Sequence, residues 1–363
     1  MATRTGSSIR RAIMVALLAA GANAPLLARQ PGSAAPQPPI VIERQGSFAA
    51  GGTMIGDATK SSVCDHGYVE YEIPPKPRAV GLFLWHSSST AVWQNRWDGG
   101  EGFQSIFVRR GFPIYLWDGP RVGRANLPCE PVQITPRAGQ DQTSFTSWRF
   151  GPSFLHWYPG VQFPVNDPEA WNQAIRARYE EFDTVENARL QAHAAAAALE
   201  RTGPVVLVTN SAAGLRALLT AIESDQVKAI VAYENVGFVF PDTEDKGEPA
   251  GPYGPVFVPL EQFKKLARIP IQFVWGDNLA QTRGPSAALP ANRRFVELIN
   301  HYGGKAEILE LADAGLHGNT HLPFADLNNL KVADLLMGFL HRHGLDGLTK
   351  PSTTSAAPGN PRR

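Results

Sequence analysis

The chemistry most open to this chain centres on Ser211. It closes the run Pro204-Val205-Val206-Leu207-Val208-Thr209-Asn210 and is followed by Ala212-Ala213-Gly214, then by Leu215-Arg216-Ala217-Leu218-Leu219. A β-branched run, a polar corner among small residues and a resumed apolar stretch read as strand, sharp turn and helix. Such a corner lifts a hydroxyl clear of a sheet edge and aims the next backbone N–H groups at whatever binds there. Thr209 and Ala213 stand where a G-x-S-x-G motif has glycine, so the motif alone fits a nucleophile or a polar strand–helix junction.

A serine nucleophile needs a base, an acid to orient that base, and donors for an oxyanion. Two acids follow Ser211: Glu234 at the end of Ala229–Tyr233, and Asp277 after Val274-Trp275-Gly276. Two histidines then share Gly315-Leu316-His317-Gly318-Asn319-Thr320-His321. Upstream, His86-Ser87-Ser88-Ser89 leaves an apolar run and offers the Ser88 backbone N–H as an oxyanion donor beside that of Ala212. His86 itself reads as a loop-packing residue. The H-x-x-x-H spacing of His317 and His321 lacks the intervening Glu of a helical zinc motif, and two cysteines are too few for a Cys-rich site. Neither a metal nor a cofactor is expected.

The elements that must position these groups alternate along the chain. Strands are expected over Val69–Ile73, Ala79–Trp85, Pro113–Trp117, 204–209, Lys228–Tyr233, Ile269–Trp275 and Ala306–Leu311, and helices over Gly102–Arg110, 186–201, 214–224, 288–301 and 326–343. This rhythm specifies an α/β fold with a mostly parallel central sheet covered by helices on both faces. It places Ser211, both acids and the histidine loop at the carboxyl ends of strands, where open α/β sheets carry their sites. Residues 126–183 break the rhythm. Phe145, Trp148, Phe150, Phe154, Trp157, Tyr158 and Trp171 crowd there without clean periodicity, so the segment is expected to be an aromatic-rich cap insertion over a pocket.

With 363 residues, 43% of them hydrophobic, the chain can bury a large core. Its 34 basic and 33 acidic residues nearly cancel, so no basic field invites nucleic acid. Arg4, Arg10 and Arg11 precede an apolar run from Ala12 to Ala22 and small residues, as in a signal peptide, which we place at 1–24. That run is too short for a comfortable membrane span, and no stable membrane insertion is expected after cleavage. A Pro-, Ala- and Gln-rich linker at 25–40 then leads to one domain at 41–348, and a Pro/Ser/Thr-rich tail at 349–363 is expected to be disordered. The protein is therefore expected to be periplasmic or secreted, where Cys64 and Cys129 are free to form a disulfide. A homodimer is compatible with the sequence.

The chain resembles bacterial esterases of the α/β-hydrolase superfamily, in the branch with a Ser-Glu-His triad. The residues that carry the resemblance are His86–Ser89 with Trp93, Asp98–Gly102, Arg109–Phe112, Asp118–Arg124, Phe150-Gly151-Pro152, Asn210–Gly214, Glu234, and His317–His321 followed by Asp326, Asn328, Asn329 and Val332-Ala333-Asp334. The chain departs from that branch at Ser87, where glycine follows the histidine, and at Ala213 beside the elbow. The resemblance implies an α/β-hydrolase fold with Ser211 as nucleophile, Glu234 as acid and His321 as base. Asp277 is the alternative acid. It lies directly after Gly276 rather than three residues on, a place suited to bracing a loop. The expected function is an exported carboxylic-ester hydrolase working through a serine acyl-enzyme, on a small-molecule ester of hydrophobic or aromatic character. A catalytically silent ligand-binding protein of the same fold, or an acyltransferase using the same triad, remain open alternatives.

Overall fold

A computed structural model describes residues 38–179, 181–244, 251–280 and 284–349. The expected signal peptide at 1–24, residues 25–37 of the expected linker and residues 350–363 of the expected tail lie outside them. Among the described residues ten strands form: β1 (Arg44–Gly56), β2 (Ser61–Ile73), β3 (Gly81–His86), β4 (Ile114–Asp118), β5 (Val205–Asn210), β6 (Val227–Tyr233), β7 (Val239–Pro241), β8 (Val256–Val258), β9 (Pro270–Trp275) and β10 (Lys305–Glu310). The helices are α1 (Ala91–Gln94), α2 (Phe103–Arg109), α3 (Gln140–Ser147), α4 (Pro168–Arg176), α5 (Val185–Thr202), α6 (Ala213–Glu223), α7 (Leu260–Leu266), α8 (Leu289–His301) and α9 (Asn329–Arg342).

Eight strands join one sheet in the order β1-β2-β4-β3-β5-β6-β9-β10. The β1–β2 and β2–β4 pairs are antiparallel, and every pair from β4 to β10 is parallel. The central strands are continuous apolar runs because both faces are covered. In β5, Val205 and Leu207 enter one core layer and Val206 and Val208 the other, as the two-residue period of a strand requires. The first layer packs under α5 to α8. Alanines 188, 192, 195 and 198 on the buried side of α5 keep that helix close to the sheet. The second layer packs under α2 and α9 through Ile106, Phe107, Val332, Leu336 and Phe339.

The observed strands and helices lie close to the alternation expected from the sequence, with one large extension. The sequence suggests only Val69–Ile73 at the start of the sheet, whereas β1 and β2 form a 13-residue hairpin paired from Arg44↔Ile73 to Gly56↔Ser61. Its outer end, Gly51–Gly56 with Ser61–Val63, is exposed on both faces, so no apolar alternation marks it. The short pair β7–β8 and helices α1, α3, α4 and α7 are also absent from the sequence reading, each too short to show a period.

Residues 126–183 carry α3 and α4 around an aromatic cluster. Phe145, Phe150 and Phe163 are fully buried; Phe145 meets Trp157 at 4.7 Å between ring centroids, and Phe150 meets Phe163 at 4.8 Å. Most of the aromatics therefore bind the segment to itself and to the second core layer.

Cys64 of β2 is bonded to Cys129, with Cα atoms 5.0 Å apart. Next to it Arg121 clamps Asp65 with two 2.8 Å hydrogen bonds, so the chain leaving β4 is stapled to the hairpin. A cross-link spanning 65 residues removes about 4 kcal/mol of unfolded-state entropy at 25 °C in the chain-entropy account. Replacing both cysteines with serine should lower the unfolding free energy by about 2–4 kcal/mol in urea melts, with the two-cysteine protein falling to the same midpoint once reduced.

Candidate active site

Sheet register levels the site. Asn210, the last residue of β5, pairs with His86 of β3 on one side and Tyr233 of β6 on the other. The next residue on each strand is therefore level with the others, and these are Ser87, Ser211 and Glu234. The side-chain amide of Asn210 ties the level together, donating to the carbonyls of Tyr233 at 3.2 Å and His321 at 3.0 Å.

Ser211 adopts φ +56°, in the left-handed region that L-residues rarely occupy. The Ser211 N–H donates to the Tyr233 carbonyl at 3.0 Å, and the Ser211 carbonyl accepts from Gly214 N–H at 3.1 Å, so the turn is held from both sides. Rather than on the motif positions Thr209 and Ala213, the close backbone approach at this turn falls on Gly214. A Cβ there would lie 1.5 Å from Oδ1 of the buried Asn235, whereas Ala213 fits inside the core.

Glu234 also has a left-handed backbone, φ +53°, and no exposed surface. Its Oε1 accepts from Arg149 Nη2 and from Gly276 N–H, both at 2.5 Å, and its Oε2 lies 3.4 Å from His321 Nδ1. Burial alone pushes this carboxyl up, but the Arg149 charge and the hydrogen bonds of His321 and Arg149 outweigh it and hold the group below the usual carboxylate range. Arg149 is itself fully buried and donates through Nε to the Asp277 carbonyl at 2.8 Å. Nothing in the sequence marks Arg149 as a partner of Glu234, because the two lie 85 residues apart.

His321 sits on the loop after β10. Asp326 folds that loop, accepting from Thr320 N–H at 2.7 Å, Thr320 Oγ1 at 2.9 Å and Asn319 Nδ2 at 3.0 Å. Burial pushes the Asp326 carboxyl up to about 7 against those donors. The His321 N–H donates to the Trp148 carbonyl at 3.0 Å, and the Trp148 ring stacks on the imidazole, centroids 6.2 Å apart and 16° from parallel. Burial drives the His321 imidazole down, the Glu234 hydrogen bond and charge raise it, and Arg149 lowers it again; it ends below its ordinary value.

The alternative candidates occupy different places. Asp277 accepts from Gly318 N–H at 2.9 Å and Asn278 N–H at 2.7 Å, and its own N–H donates to the Asn319 carbonyl at 2.9 Å, so it braces the histidine loop. His317 is solvent-exposed, with Nδ1 3.8 Å from Asp277. On the other side of Ser211, Ala212 stands at the N-terminus of α6, where the first amides of a helix lack intrahelical acceptors. The Ser88 N–H does not stand free as the sequence suggested. It donates to His86 Nδ1 at 2.9 Å, as the Ser89 N–H does at 3.2 Å. Burial pushes the His86 imidazole down to about 3, so Nδ1 is an acceptor that holds the turn.

Ser211 opens on a cavity of about 870 Å³. One wall is apolar: Val236, Phe238, Phe240, Pro255, Phe257 and Pro290. The other carries Glu181, Asp183, Arg178 and Tyr253, and of the aromatics in 126–183 that the sequence singles out, Trp148 alone lines the cavity. Asp183 accepts from the Tyr253 hydroxyl at 2.9 Å and faces Arg216 at 3.5 Å. Burial and the Asp183 charge push the Glu181 carboxyl up to about 7.

Strand order, parallel register and a serine at the turn between β5 and α6 are those of the α/β-hydrolase fold, which this chain has. Among solved structures, one described as a novel bacterial esterase superposes with a TM-score of 0.71 at 24% identity, covering 86% of this chain and 99% of that one. An esterase of Pyrococcus furiosus superposes with a TM-score of 0.44 at 10% identity, over 82% of this chain and 91% of its own. In sequence, the chain is 24% identical to "Probable secreted lipase phiG" of a fungus (strain ATCC 74256) over 324 residues, 76% of this chain and 85% of that protein. No family model matches the chain.

At Glu234 the backbone of Gly276 approaches closely. A Cβ there would meet the Thr320 carbonyl oxygen at 2.5 Å, the Asn319 carbonyl oxygen at 2.7 Å and Glu234 Oε1 at 3.1 Å. Gly276→Ala should therefore cost about 1–3 kcal/mol in denaturant unfolding, the usual range for overpacking a buried site.

Proposed function

We propose that the protein is an exported carboxylic-ester hydrolase acting through a serine acyl-enzyme. The observation that carries this reading is the buried, hydrogen-bonded Glu234–His321 pair, whose histidine carbonyl is held by Asn210, the residue before Ser211, while Ser211 stands on a strained turn lining a large cavity. In this mechanism His321 Nε2 takes the Ser211 hydroxyl proton as Oγ attacks the acyl carbonyl. The imidazolium keeps Nδ1–H on Glu234 Oε2 and then protonates the departing alkoxide. Water, deprotonated by the same imidazole, attacks the acyl-enzyme, and the acid leaves as Ser211 regains its proton.

The Ala212 N–H would hold the oxyanion. Ser88, our sequence-based choice for the second donor, would first have to leave His86 Nδ1. Ser87 is the alternative, because register makes it level with Ser211. The apolar wall formed by Phe238, Phe240 and Phe257 supports a hydrophobic acyl or alcohol group. Export is supported by the Cys64–Cys129 disulfide, by the basic and apolar N-terminal run, and by the secreted character in the relative's name. Among the described residues no helix is long and apolar enough to cross a membrane.

Purified protein should hydrolyse short-chain aryl esters, and a fluorophosphonate should label Ser211 covalently. Absence of both turnover and labelling would leave a silent binding protein. Ser211→Ala should lose at least about 10⁴-fold in kcat. Glu234→Gln should lose about 10³–10⁴-fold, and Asp277→Asn no more than about tenfold; the reverse ranking would make Asp277 the acid. The apolar wall predicts a higher kcat/KM for hexanoyl than for acetyl aryl esters.

A further inference from the structure

We propose that Arg149 is a positioning residue for the Glu234–His321 pair, which locks one carboxylate oxygen and cancels its charge, so that activity extends to lower pH than an unbalanced acid–histidine pair allows. The inference rests on the ester-hydrolase reading above.

A carboxylate has two oxygens and rotates between them unless one is held. Arg149 Nη2 and Gly276 N–H both grip Oε1, which leaves Oε2 as the oxygen presented to His321 Nδ1. The guanidinium is anchored in turn, through Nε on the Asp277 carbonyl. Its backbone sits at φ +61°, and both the residue and its partner have no exposed surface. An isolated buried guanidinium would be very costly, so this ion pair exists as a unit.

The electrostatic consequence follows from the sum of charges. An acid–histidine pair alone presents a net negative neighbour to the imidazole and so favours the imidazolium. Here Arg149 and Glu234 add to zero beside His321. The imidazole therefore stays neutral, and ready to accept the serine proton, further into acid. The other groups facing this centre do not restore the missing negative charge. His86 at the end of β3 is held neutral by burial, and Arg216 of α6, which faces it, is occupied by Asp183 and the Ser87 carbonyl. Asp277 is turned toward Gly318 N–H and the exposed His317, and Asp326 is enclosed by Thr320 and Asn319. The burial-lowered imidazole of His321 agrees with this balance.

Arg149 also joins this pair to residues 126–183. It follows Trp148, whose carbonyl accepts the His321 N–H and whose ring covers the imidazole. Two consecutive residues of that segment thus hold the acid and the base.

The test is the pH dependence of kcat/KM on an aryl ester, read beside the rate of fluorophosphonate labelling, which follows slow variants as well. The acid limb of each profile reports protonation of His321 in the free enzyme. In Arg149→Met the limb should move up by about one pH unit, so activity at pH 5.5 relative to pH 8 falls about tenfold, while Arg149→Lys keeps the limb near its original place with reduced kcat. A folded Arg149→Met protein with an unmoved limb overturns the proposal. If Arg149→Met does not fold, the double variant Arg149→Met/Glu234→Gln decides, since it leaves neutral neighbours and no unpaired buried charge. A labelling limb within about 0.3 pH units of wild type supports charge cancellation. A fall of about one unit means that Glu234 alone had set the limb, and overturns it. Failure of the wild-type protein to turn over or label is a separate result, which removes the ester-hydrolase reading itself.

Discussion

A carboxylate with no exposed surface is unfavourable anywhere in a protein unless charge and hydrogen bonds replace its water. Glu234 is such a group, and much of the surrounding structure supplies that replacement. The guanidinium of Arg149 comes from the segment between β4 and β5, the N–H of Gly276 from the end of β9, and the imidazole of His321 from the loop after β10. Three stretches remote in sequence therefore converge on one side chain. Asp277 and Asp326 extend the arrangement outward by fixing the loops that carry Gly276 and His321. Without the carboxylate, Arg149 would be a buried charge lacking its counterion.

Strain gathers around the same point. Ser211, Glu234, Arg149 and Asn278 all have left-handed backbones, at φ +56°, +53°, +61° and +59°. Such conformations cost on the order of 1–3 kcal/mol each and persist only where neighbours over-determine them. At Ser211 the neighbours are the Tyr233 carbonyl and the Gly214 N–H, at Glu234 the Val274 carbonyl and the guanidinium. The paired carboxylate and the strained turns support one another. The ion pair holds the loops in place, and the turn at Ser211 sets that residue at the cavity.

Much of this was legible in the sequence. The runs at 204–209 and Lys228–Tyr233 are short, β-branched and bounded by polar corners, so their place as central strands followed from burial on both faces. Residues after those strands then have to lie at one edge, which groups Ser211, Glu234 and the histidine loop from the sequence. The outer end of the β1–β2 hairpin, Gly51–Gly56 with Ser61–Val63, was illegible because neither face is buried there. The aromatics of 126–183 were ambiguous for another reason. Aromatic composition is the same whether rings line a cavity or fill a core, and here Phe145, Phe150, Trp157 and Trp171 pack on one another while Trp148 and Tyr179 line the cavity.

The sequence by itself determined the strand–helix alternation, the sheet class and the order of serine, acids and histidines along the chain. Those depend on local periodicity and on residues adjacent in the chain. Only the tertiary structure decided that Arg149 pairs with Glu234, that the loop Asp277 braces is the histidine loop at Gly318 N–H, and that the Ser88 N–H turns to His86 rather than toward the cavity. Each depends on a distance between residues far apart in sequence or on the direction of a single backbone amide. Neither leaves a trace in composition or spacing, because a hydrogen bond is satisfied by geometry and the same residue types allow several geometries.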